Sequence, residues 1–387
     1  MKRSVTGSMT RRGVAAGLAM FLAGCAVVPK TTAPTAPAES APAPLPSETV
    51  LPTDQTRHRI ALLVPLSGEN EAVGQSIANA TTMALLDTSA GNLRITNYDT
   101  AGTGGAGTAA ARAVQDGNSL ILGPLMRENI GPVLAAARPR DIPVISFSND
   151  TDLAGSGAYI LGISPEQSVA RSVSYARAQG AGTFAALVPE GEYGARAEAA
   201  FRQAVTAAGG RLVEVETYDR GNTSIIGAAQ RVMAAGDVDA VFIADGPRLA
   251  ARAARELGSG VRIIGNELWS GEASVTESPT LRGAIFSAVS DARYRQFVES
   301  YRARYGEAPY RIATLGYDAV LLTLAIGNNW RYGRDFPIRA LNDRGGFLGL
   351  DGPFRFGRSG AVERAMEVRQ VRGNEVVVVD PAPARFE

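Results

Sequence analysis

The chain has 387 residues, of which 45% are hydrophobic and 20% are charged, and its formal net charge is +1. This composition predicts a folded protein with a full core and at least two domains. The balanced charge and the aromatic content of 6% argue against a nucleic-acid partner. The single cysteine, Cys25, and the single histidine, His58, exclude an internal disulfide and a zinc site of Cys and His ligands. We therefore expect no metal, no cofactor and no catalytic residues.

Residues 1–24 have the features of an export signal. Basic residues precede an apolar run at 14–22, which is too short to span a bilayer. The run ends in "LAGC", which resembles the lipobox of bacterial lipoproteins. The resemblance implies cleavage before Cys25, acylation of this cysteine and anchoring in a membrane; Ala26 after it favours the outer membrane. The alternative is an ordinary signal peptide in which the cysteine falls by chance.

Residues 25–56 form a segment rich in Pro, Ala, Ser and Thr. Such a composition cannot bury a core, so it predicts a semi-extended tether. At about 3.1 Å per residue, the stretch from Pro29 to Thr53 would span at most roughly 80 Å. The folded part of the chain is then expected to hang from the membrane on this tether.

From residue 57 onward, short apolar runs alternate with segments of helical spacing. The apolar runs predict strands at 59–66, 93–99, 119–124, 142–148, 183–189, 211–219, 240–245, 262–266 and 283–289. Helices are predicted at 73–87, 108–116, 128–137, 168–178, 194–208, 225–235, 248–257, 294–305 and 313–325. A hairpin with its turn at 357–360 follows. The alternation predicts βαβ units around parallel sheets, in two successive sets.

Three glycines, Gly102, Gly104 and Gly107, have the spacing G-x-G-x-x-G that is typical of dinucleotide binding. In a dinucleotide fold these glycines follow the first strand, and an acidic residue ends the next strand. Here they follow the second predicted strand, and the next one ends in "LGP" without an acid. We interpret the stretch as a loop before a helix.

The folded region, residues 57–387, resembles the leucine-binding branch of the type 1 periplasmic-binding-protein fold. The resemblance is carried in order by "IALLVPLSG", "LILGP", "IPVISFS", "EGEYGARAEAAFRQAVTAAGGRLV", "LGYDAVLLTLAI" and "FLGLDGPFRFGRSGAV". It implies an α/β fold with two Rossmann-like parallel-sheet lobes, a hinge and a central cleft. We predict that 57–163 and 291–345 form the first lobe and that 164–290 and 346–387 form the second.

One segment departs from the amino-acid binders of this superfamily. Those proteins usually carry a small hydroxyl residue and an alanine shortly after the Gly-Pro pair, whereas this chain has Met126, Arg127, Glu128 and Asn129. With "DVDAVFIADGPRLAARAARELG" and the lipobox, the segment is more similar to the C-terminal domain of penicillin-binding-protein activators. Those proteins are outer-membrane lipoproteins that stimulate a peptidoglycan synthase. The enteric activators carry a helical-repeat domain before this fold, where the present sequence has the tether.

These observations leave three hypotheses for function. The first is a lipid-anchored periplasmic protein that binds and regulates a peptidoglycan synthase or senses a wall-derived ligand. The second is a solute-binding lipoprotein that delivers an amino acid or similar small molecule to an ABC importer. The third, an enzyme acting on cell-wall material, is disfavoured because the sequence lacks a nucleophile motif and metal ligands.

Ligands in open parallel sheets bind beyond the carboxyl ends of strands. The polar and aromatic residues at those ends are the predicted cleft residues: Ser67, Ser146, Phe147, Ser148, Tyr193, Asp245 and Glu267. By resemblance, Glu267 has the position of the acid that binds the ammonium group in amino-acid binders, with Ser146 and Ser148 facing it. The alternatives are that the serines cap turns, that Asp245 belongs to a turn, that Tyr193 separates the lobes and that Glu267 is solvated.

Overall fold

The structure, a computed structural model, describes residues 56–327 and 329–386. The predicted export signal, Cys25 and nearly all of the tether lie outside these ranges. Within them, none of the helices combines the length and the apolar character that a membrane span requires.

The first half of the described chain builds one parallel sheet. Its strands are β1 (His58–Val64), β2 (Leu93–Asp99), β3 (Leu120–Leu122), β4 (Val144–Ser146) and β5 (Ala158–Ile160). The helices between them are α1 (Glu71–Asp87), α2 (Gly105–Gln115) and α3 (Ile130–Ala137). The strand order is β2-β1-β3-β4-β5, and every neighbouring pair is parallel. The strand order therefore reverses direction between β1 and β3, a point beyond which such sheets bind ligands.

The next segment builds the larger part of a second sheet. Its strands are β6 (Thr183–Pro189), β7 (Arg211–Tyr218), β8 (Ala240–Ile243), β9 (Arg262–Ile264) and β10 (Ile285–Val289). The helices are α4 (Pro165–Ala178), α5 (Glu192–Ala207), α6 (Ser224–Ala234), α7 (Pro247–Ala253) and α8 (Ser274–Glu277). Strands β6, β8 and β10 are buried over nearly their whole length, as a sheet covered by helices on both faces requires.

The remaining elements return to both sheets. They are α9 (Tyr294–Tyr305), α10 (Thr314–Gly327), β11 (Phe347–Gly349), β12 (Gly352–Phe356), β13 (Val362–Arg364), β14 (Met366–Arg372) and β15 (Glu375–Asp380). Strands β14 and β15 join the second sheet in the order β15-β14-β10-β9-β8-β6-β7, and both are antiparallel to their neighbours. Strands β11, β12 and β13 form a separate antiparallel sheet.

The hydrophobic cores divide the described chain into two lobes. We call the first lobe the five-stranded sheet with α1–α3, α9, α10 and β11–β13, and the second lobe the seven-stranded sheet with α4–α8. The three-stranded sheet belongs to the first lobe because Phe354, Phe356 and Val362 pack in one cluster with Leu322 of α10. The sequence-based boundary differs here, since it gave all of 346–387 to the second lobe.

Three short segments connect the lobes, and a buried ionic network fastens them. The segments are 161–164, 290–293 and Ala365, which lies between β13 and β14. Arg364 is fully buried and donates to the Leu161 carbonyl at 3.0 Å and to Asp318 Oδ2 of α10 at 3.2 Å. Arg364, which directly precedes Ala365, thus links two of the crossing segments to α10.

The glycine-rich stretch is a turn followed by a helix, as predicted. Gly104 precedes α2 with φ +86°, and α2 begins at Gly105, so that Gly107 lies inside the helix. The positive φ explains the glycine at 104 without a bound cofactor.

One glycine in each lobe allows a helix to pass close to a strand end. A Cβ on Gly74 of α1 would overlap the carbonyl oxygen of Pro65, just after β1, and a Cβ on Gly194 of α5 would overlap the carbonyl oxygen of Pro189, at the end of β6. The two positions are equivalent in the two lobes, because each follows the first strand of its sheet. Because of this close approach, α1 and α5 each begin beside the carboxyl end of the strand that precedes them.

We predict that Gly194→Ala destabilises the protein by about 2 kcal/mol or more, because the methyl group meets rigid backbone. The matched control is Gly227→Ala in α6, where the nearest atom is Arg231 Nη1 at 3.4 Å. This control is expected to be neutral or slightly stabilising. Urea unfolding of both variants checks the prediction, and equal midpoints for the two would contradict it.

Candidate functional site

A cavity of about 750 Å³ lies between the two lobes, at the carboxyl ends of their parallel strands. The first lobe provides Leu125, Met126, Arg127, Glu128, Phe147, Ser148, Asn149, Asp150, Ile163, Arg311, Ile312 and Leu315. The second lobe and its connection provide Glu192, Tyr193, Arg196, Glu267, Leu268, Ser270, Glu272, Ala288 and Val289. A cavity of this size that both lobes line is the expected place for a small ligand.

Ion pairs cross the cleft at a buried carboxylate, Asp150. Its side chain is 2% exposed, and Arg127 Nε of the same lobe lies 2.9 Å from its Oδ2. From the other lobe, Arg196 Nη1 of α5 approaches Asp150 Oδ1 at 3.7 Å. Arg127 also reaches across, with Nη1 3.4 Å from Glu192 Oε2. The two lobes are thus joined by opposite charges at the edge of the cavity.

The turn after β4 holds Asp150 in place. Ser148 Oγ accepts a hydrogen bond from the Asp150 backbone N–H at 3.2 Å, and Asp150 Oδ1 accepts one from the Asp152 N–H at 3.1 Å. Each short polar side chain satisfies a backbone group two residues further on, a habit of Ser and Asp in turns. The carboxylate is therefore oriented by its own loop before any arginine reaches it.

Glu267 is a half-buried acid in the second lobe wall of the cavity. It begins a single 3-10 turn, Glu267–Trp269, after β9, and the side chain of Asn266 caps this turn by accepting from the Leu268 N–H at 3.1 Å. The Glu267 Oε2 atom is buried and has no hydrogen-bond partner among the described residues. Burial raises the pKa of Glu267 to about 7; Glu166 at the start of α4 raises this pKa further and Arg196 opposes the rise. An acid with a buried carboxyl oxygen and a perturbed pKa in a cleft is a functional-site candidate.

Tyr193 lies beside Glu267 in the same wall. Its hydroxyl accepts a hydrogen bond from Asn266 Nδ2 at 2.7 Å, and the Arg220 guanidinium lies 5.2 Å from its ring centroid. Burial raises the pKa of this phenol above its ordinary value, and the charge of Glu267 adds to the rise. The phenol therefore stays protonated, and it offers the cavity an aromatic edge with a hydroxyl.

Four predicted cleft residues line the cavity: Phe147, Ser148, Tyr193 and Glu267. The structure places the other three predicted residues elsewhere, because their polar atoms are used within their own lobes. Ser67 donates to Asp99 Oδ2 at 2.6 Å, and fully buried Ser146 donates to the Pro124 carbonyl at 2.8 Å. Asp245 accepts from Tyr218 Oη and Arg220 Nε, both at 2.7 Å. We no longer assign a ligand contact to Ser67, Ser146 or Asp245.

The charged residues of the cavity that were not among the predicted cleft residues include Asp150, Arg196 and Arg311. Arg311 comes just before α10, with Nη1 2.7 Å from Asp351 Oδ1 and its guanidinium 4.1 Å from the Tyr294 ring centroid. Asp150 follows Ser148 by two residues, so its position near a strand end could have been found from the sequence. Arg196 and Arg311 gave no signal, because their partners are distant in the chain.

The described residues contain no group of three or more His, Cys, Asp or Glu side chains placed to hold a metal ion. The donors of the cavity are carboxylates, guanidinium groups, a phenol and hydroxyls on apolar walls. Chemically, the arrangement can orient a small molecule by charge and shape.

We predict that Asp150→Asn destabilises the protein by about 2 kcal/mol, because it leaves two arginines without a buried counter-charge. Asparagine keeps the side-chain oxygen that caps the turn, so the loss reports the charge. The control is Asp152→Asn on the same turn, at an exposed position, which is expected to change stability little. Chemical denaturation measures both, and a loss shared equally by the control would contradict the ion-pair role.

We predict that Glu267→Gln becomes stabilising relative to the natural protein as pH rises. The folded-state pKa of about 7 lies above the ordinary value of 4.5, so the folded form binds this proton more tightly than the unfolded form. The stability that the folded protein gains from the protonated Glu267 is fully present below pH 4.5 and is lost as pH rises through 7. The stability difference between variant and natural protein should grow by at most about 3 kcal/mol from pH 4.5 to 8. A difference independent of pH would contradict the raised pKa.

Comparison with known proteins shows the family to which the chain belongs. The family profile described as "Periplasmic binding protein" matches residues 58–375. An uncharacterised protein of Rickettsia prowazekii is 24% identical over 190 residues, which are 49% of this chain and 51% of that protein. The penicillin-binding protein activator LpoA of Klebsiella pneumoniae is 27% identical over 161 residues, 34% of this chain and 23% of LpoA. The chain thus spans about half of the first relative and about a quarter of the second.

Solved structures share the fold at low identity. A putative branched-chain amino acid ABC transporter protein from Rhodospirillum rubrum has a TM-score of 0.74 at 20% identity, covering 84% of this chain and 100% of that one. The leucine-binding protein LivK of Thermotoga maritima has a TM-score of 0.60 at 20% identity over 85% of this chain and 99% of its own. A solute-binding protein of Rhodopseudomonas palustris in complex with benzoate has a TM-score of 0.59 at 17% identity, covering 85% and 98%. The chain belongs to the periplasmic binding protein family, and its two parallel-sheet lobes have the type 1 fold of that family.

Proposed function

We propose that this protein is a lipid-anchored periplasmic recognition protein that regulates a penicillin-binding protein and performs no catalysis itself. The observation that carries the proposal is the ion-pair set around Asp150. In the amino-acid binders that the sequence resembles, a small hydroxyl residue follows the Gly-Pro pair, and here Arg127 is committed to Asp150 and Glu192 instead. The cleft is therefore built differently from that of a receptor for amino-acid transport.

The similarity to LpoA supports the regulatory part of the proposal. It extends over 161 residues of this chain, and that relative is named as a penicillin-binding protein activator. The sequence adds the lipobox at Cys25 and the tether after it. An acylated Cys25 would hold the folded region within roughly 80 Å of a membrane, a distance that suits a partner anchored in or near the cell envelope.

The position of the only histidine supports a non-catalytic role. His58 begins β1, at the amino end of the strand and so at the edge of the sheet away from the cavity. Its ring is stacked on Trp330 at 3.8 Å and lies 4.7 Å from the Tyr332 ring. It therefore cannot serve as a base for a nucleophile in the cleft.

A second candidate function is that of a solute-binding protein for an ABC importer. The observation that favours it is the cavity of about 750 Å³ between the lobes, with an acid in its wall, Glu267, whose Oε2 atom has no hydrogen-bond partner among the described residues. The similar solved structures include transport receptors, two of which carry a branched-chain amino acid or leucine in their names. A transport receptor would depend on a permease, whereas a regulator would act on its partner directly.

We predict that the purified protein raises the rate of glycan synthesis or peptide cross-linking by a bifunctional penicillin-binding protein of the same organism. The assay compares the synthase alone, with the protein, and with a transport receptor of the same fold as the control. Activation that saturates at a one-to-one ratio would support regulation. No effect on the synthase, together with loss of uptake of one solute when the protein is removed from cells, would establish the transport alternative instead.

A further inference from the structure

We propose that a second pocket, in the first lobe, binds a phosphate group in the form of a phosphomonoester or a diphosphate. This pocket, which we call the arginine pocket, has a volume of about 610 Å³ and shares no lining residue with the cavity between the lobes. The inference goes beyond the proposed function, because neither regulation of a synthase nor recognition in the cleft requires a phosphate site here.

The arginine pocket lies at the end of the first lobe that is opposite to the cleft. Its walls come from the segment before β11, from the end of β12 and from the turn that leads into β13. Ala361, in front of β13, forms a parallel bridge with Ile160, and a Cβ on Gly360 of the turn would lie 3.4 Å from the carbonyl oxygen of Ala158. The turn is therefore beside the amino end of β5, whereas the cleft lies at the carboxyl ends of the strands.

Three arginines supply the positive charge of the pocket: Arg344, Arg355 and Arg358. The guanidinium groups of Arg344 and Arg358 are exposed, and neither forms an ion pair or a hydrogen bond with any residue that the structure describes. Arg355 is held in place by Glu363, whose Oε2 accepts from Arg355 Nε at 2.8 Å, and by the ring of Phe386, 4.6 Å from its guanidinium. Two guanidinium groups are thus free to bind an anion beside a third that is already oriented.

The charge of the lining selects a doubly charged oxyanion. Glu363 is the one acid among the described lining residues, so the three arginines leave a net charge of +2. The neighbouring Asp343 does not line the pocket, and its Oδ1 accepts from the Gly345 N–H at 2.9 Å. A phosphomonoester carries about −1.5 to −2 charges at pH 7, whereas a carboxylate carries one. Planar guanidinium groups also match two phosphate oxygens at a time, which favours phosphate further.

The floor of the pocket is a fixed part of the fold. Phe356 is 5% exposed, and its ring meets that of Tyr159 edge-on at 5.1 Å. The turn after it is closed by a hydrogen bond from the Gly357 N–H to the Ala361 carbonyl at 2.8 Å. On the rim, Asn342 adds a side-chain amide that can donate to an oxyanion. The arginines therefore surround a formed concavity.

The same end of the lobe carries further positive charge. The amino ends of parallel strands share one edge of a sheet, and His58, at the start of β1, stacks there on Trp330. The segments 138–143 and 329–337 at this edge contain four arginines and two acids: Arg138, Arg140, Arg331, Arg334, Asp141 and Asp335. Such an excess of one sign raises the local concentration of ligands of the opposite sign.

Two sources of phosphate fit this position. The tether leads into β1 at this edge, so an acylated Cys25 would bring lipid headgroups within reach of the pocket. The other source is a soluble or polymer-borne phosphate. Both present the same chemistry to the arginines, and the experiment below separates them.

Calorimetric titration of pyrophosphate into the purified full-length protein, with Cys25→Ser to prevent acylation, tests the site. We expect Arg344→Gln combined with Arg358→Gln to weaken binding at least roughly tenfold, because two charge-assisted contacts are lost. The matched control is Arg255→Gln combined with Arg282→Gln, which removes the same charge from two exposed arginines of the second lobe and should leave the affinity unchanged. Both double variants are expected to keep the urea midpoint of the natural protein, since all four arginines are exposed.

Vesicles of phosphatidylcholine, with and without phosphatidic acid, distinguish the sources by co-sedimentation. The natural sequence and the pocket variant are compared, both with Cys25→Ser, so that residues 1–56 contribute equally to each. Retention that phosphatidic acid raises only when the pocket is intact would support a lipid headgroup as the ligand. Pocket-dependent binding of pyrophosphate without such retention would support a soluble or polymer-borne phosphate.

Three results would overturn the inference: no binding of pyrophosphate, equal affinity in the pocket variant and the natural sequence, or tighter binding of succinate, whose two charges are on separate carboxylates. None of these measurements involves a penicillin-binding protein or the cleft. The phosphate site and the proposed function therefore fail separately.

Discussion

The constraint on which the cleft depends is the charge of one buried carboxylate. Asp150 is oriented by its own turn and neutralised by arginines from both lobes. A buried carboxylate requires such partners, because its desolvation is not recovered otherwise. The contact between Arg196 and Asp150 thus joins the two lobes at the edge of the cavity. Glu267 then remains as the acid of the wall with an unused oxygen.

A second ionic network lies where the chain crosses between the lobes, and it links the crossing segments to the first lobe. Arg364, Asp318, Asp351 and Arg311 link β13, α10 and the crossing segment at Leu161. Burial raises the pKa of Asp318 above its ordinary value, and the charge of Asp351 adds to the rise, while Arg364 opposes it. Because Arg311 also lines the cavity, the hinge network and the candidate site share a residue. A change of packing at the hinge would thus be felt in the cavity wall.

The sequence predicted the architecture well, because buried parallel strands and amphipathic helices have distinct periodicities. Strands β2 and β6 and helix α9 have the predicted bounds. Strand β5 was missed, since its three residues are too few for a pattern, and β11–β13 were assigned to the second lobe, whereas their packing partners lie on α10 of the first.

The positions of the strand ends in the sequence were enough to identify Tyr193 and Glu267 as residues that line the cavity. The hydrogen-bond and ion-pair partners of the polar residues were not predicted. Ser146 and Asp245 bind groups inside their own lobes, and Arg196 comes close to Asp150 only in the folded chain.

The most direct test of the central claim is a distance measurement between the lobes. Spin labels on Glu69→Cys and Glu190→Cys, at exposed positions of the first and second lobe, in a Cys25→Ser background, report how far apart the lobes lie by pulsed electron resonance. With Asp150 intact we expect one narrow distribution, and with Asp150→Asn a shift to longer distances as the lobes separate. Identical distributions for the two proteins would show that the ion pairs do not hold the cleft.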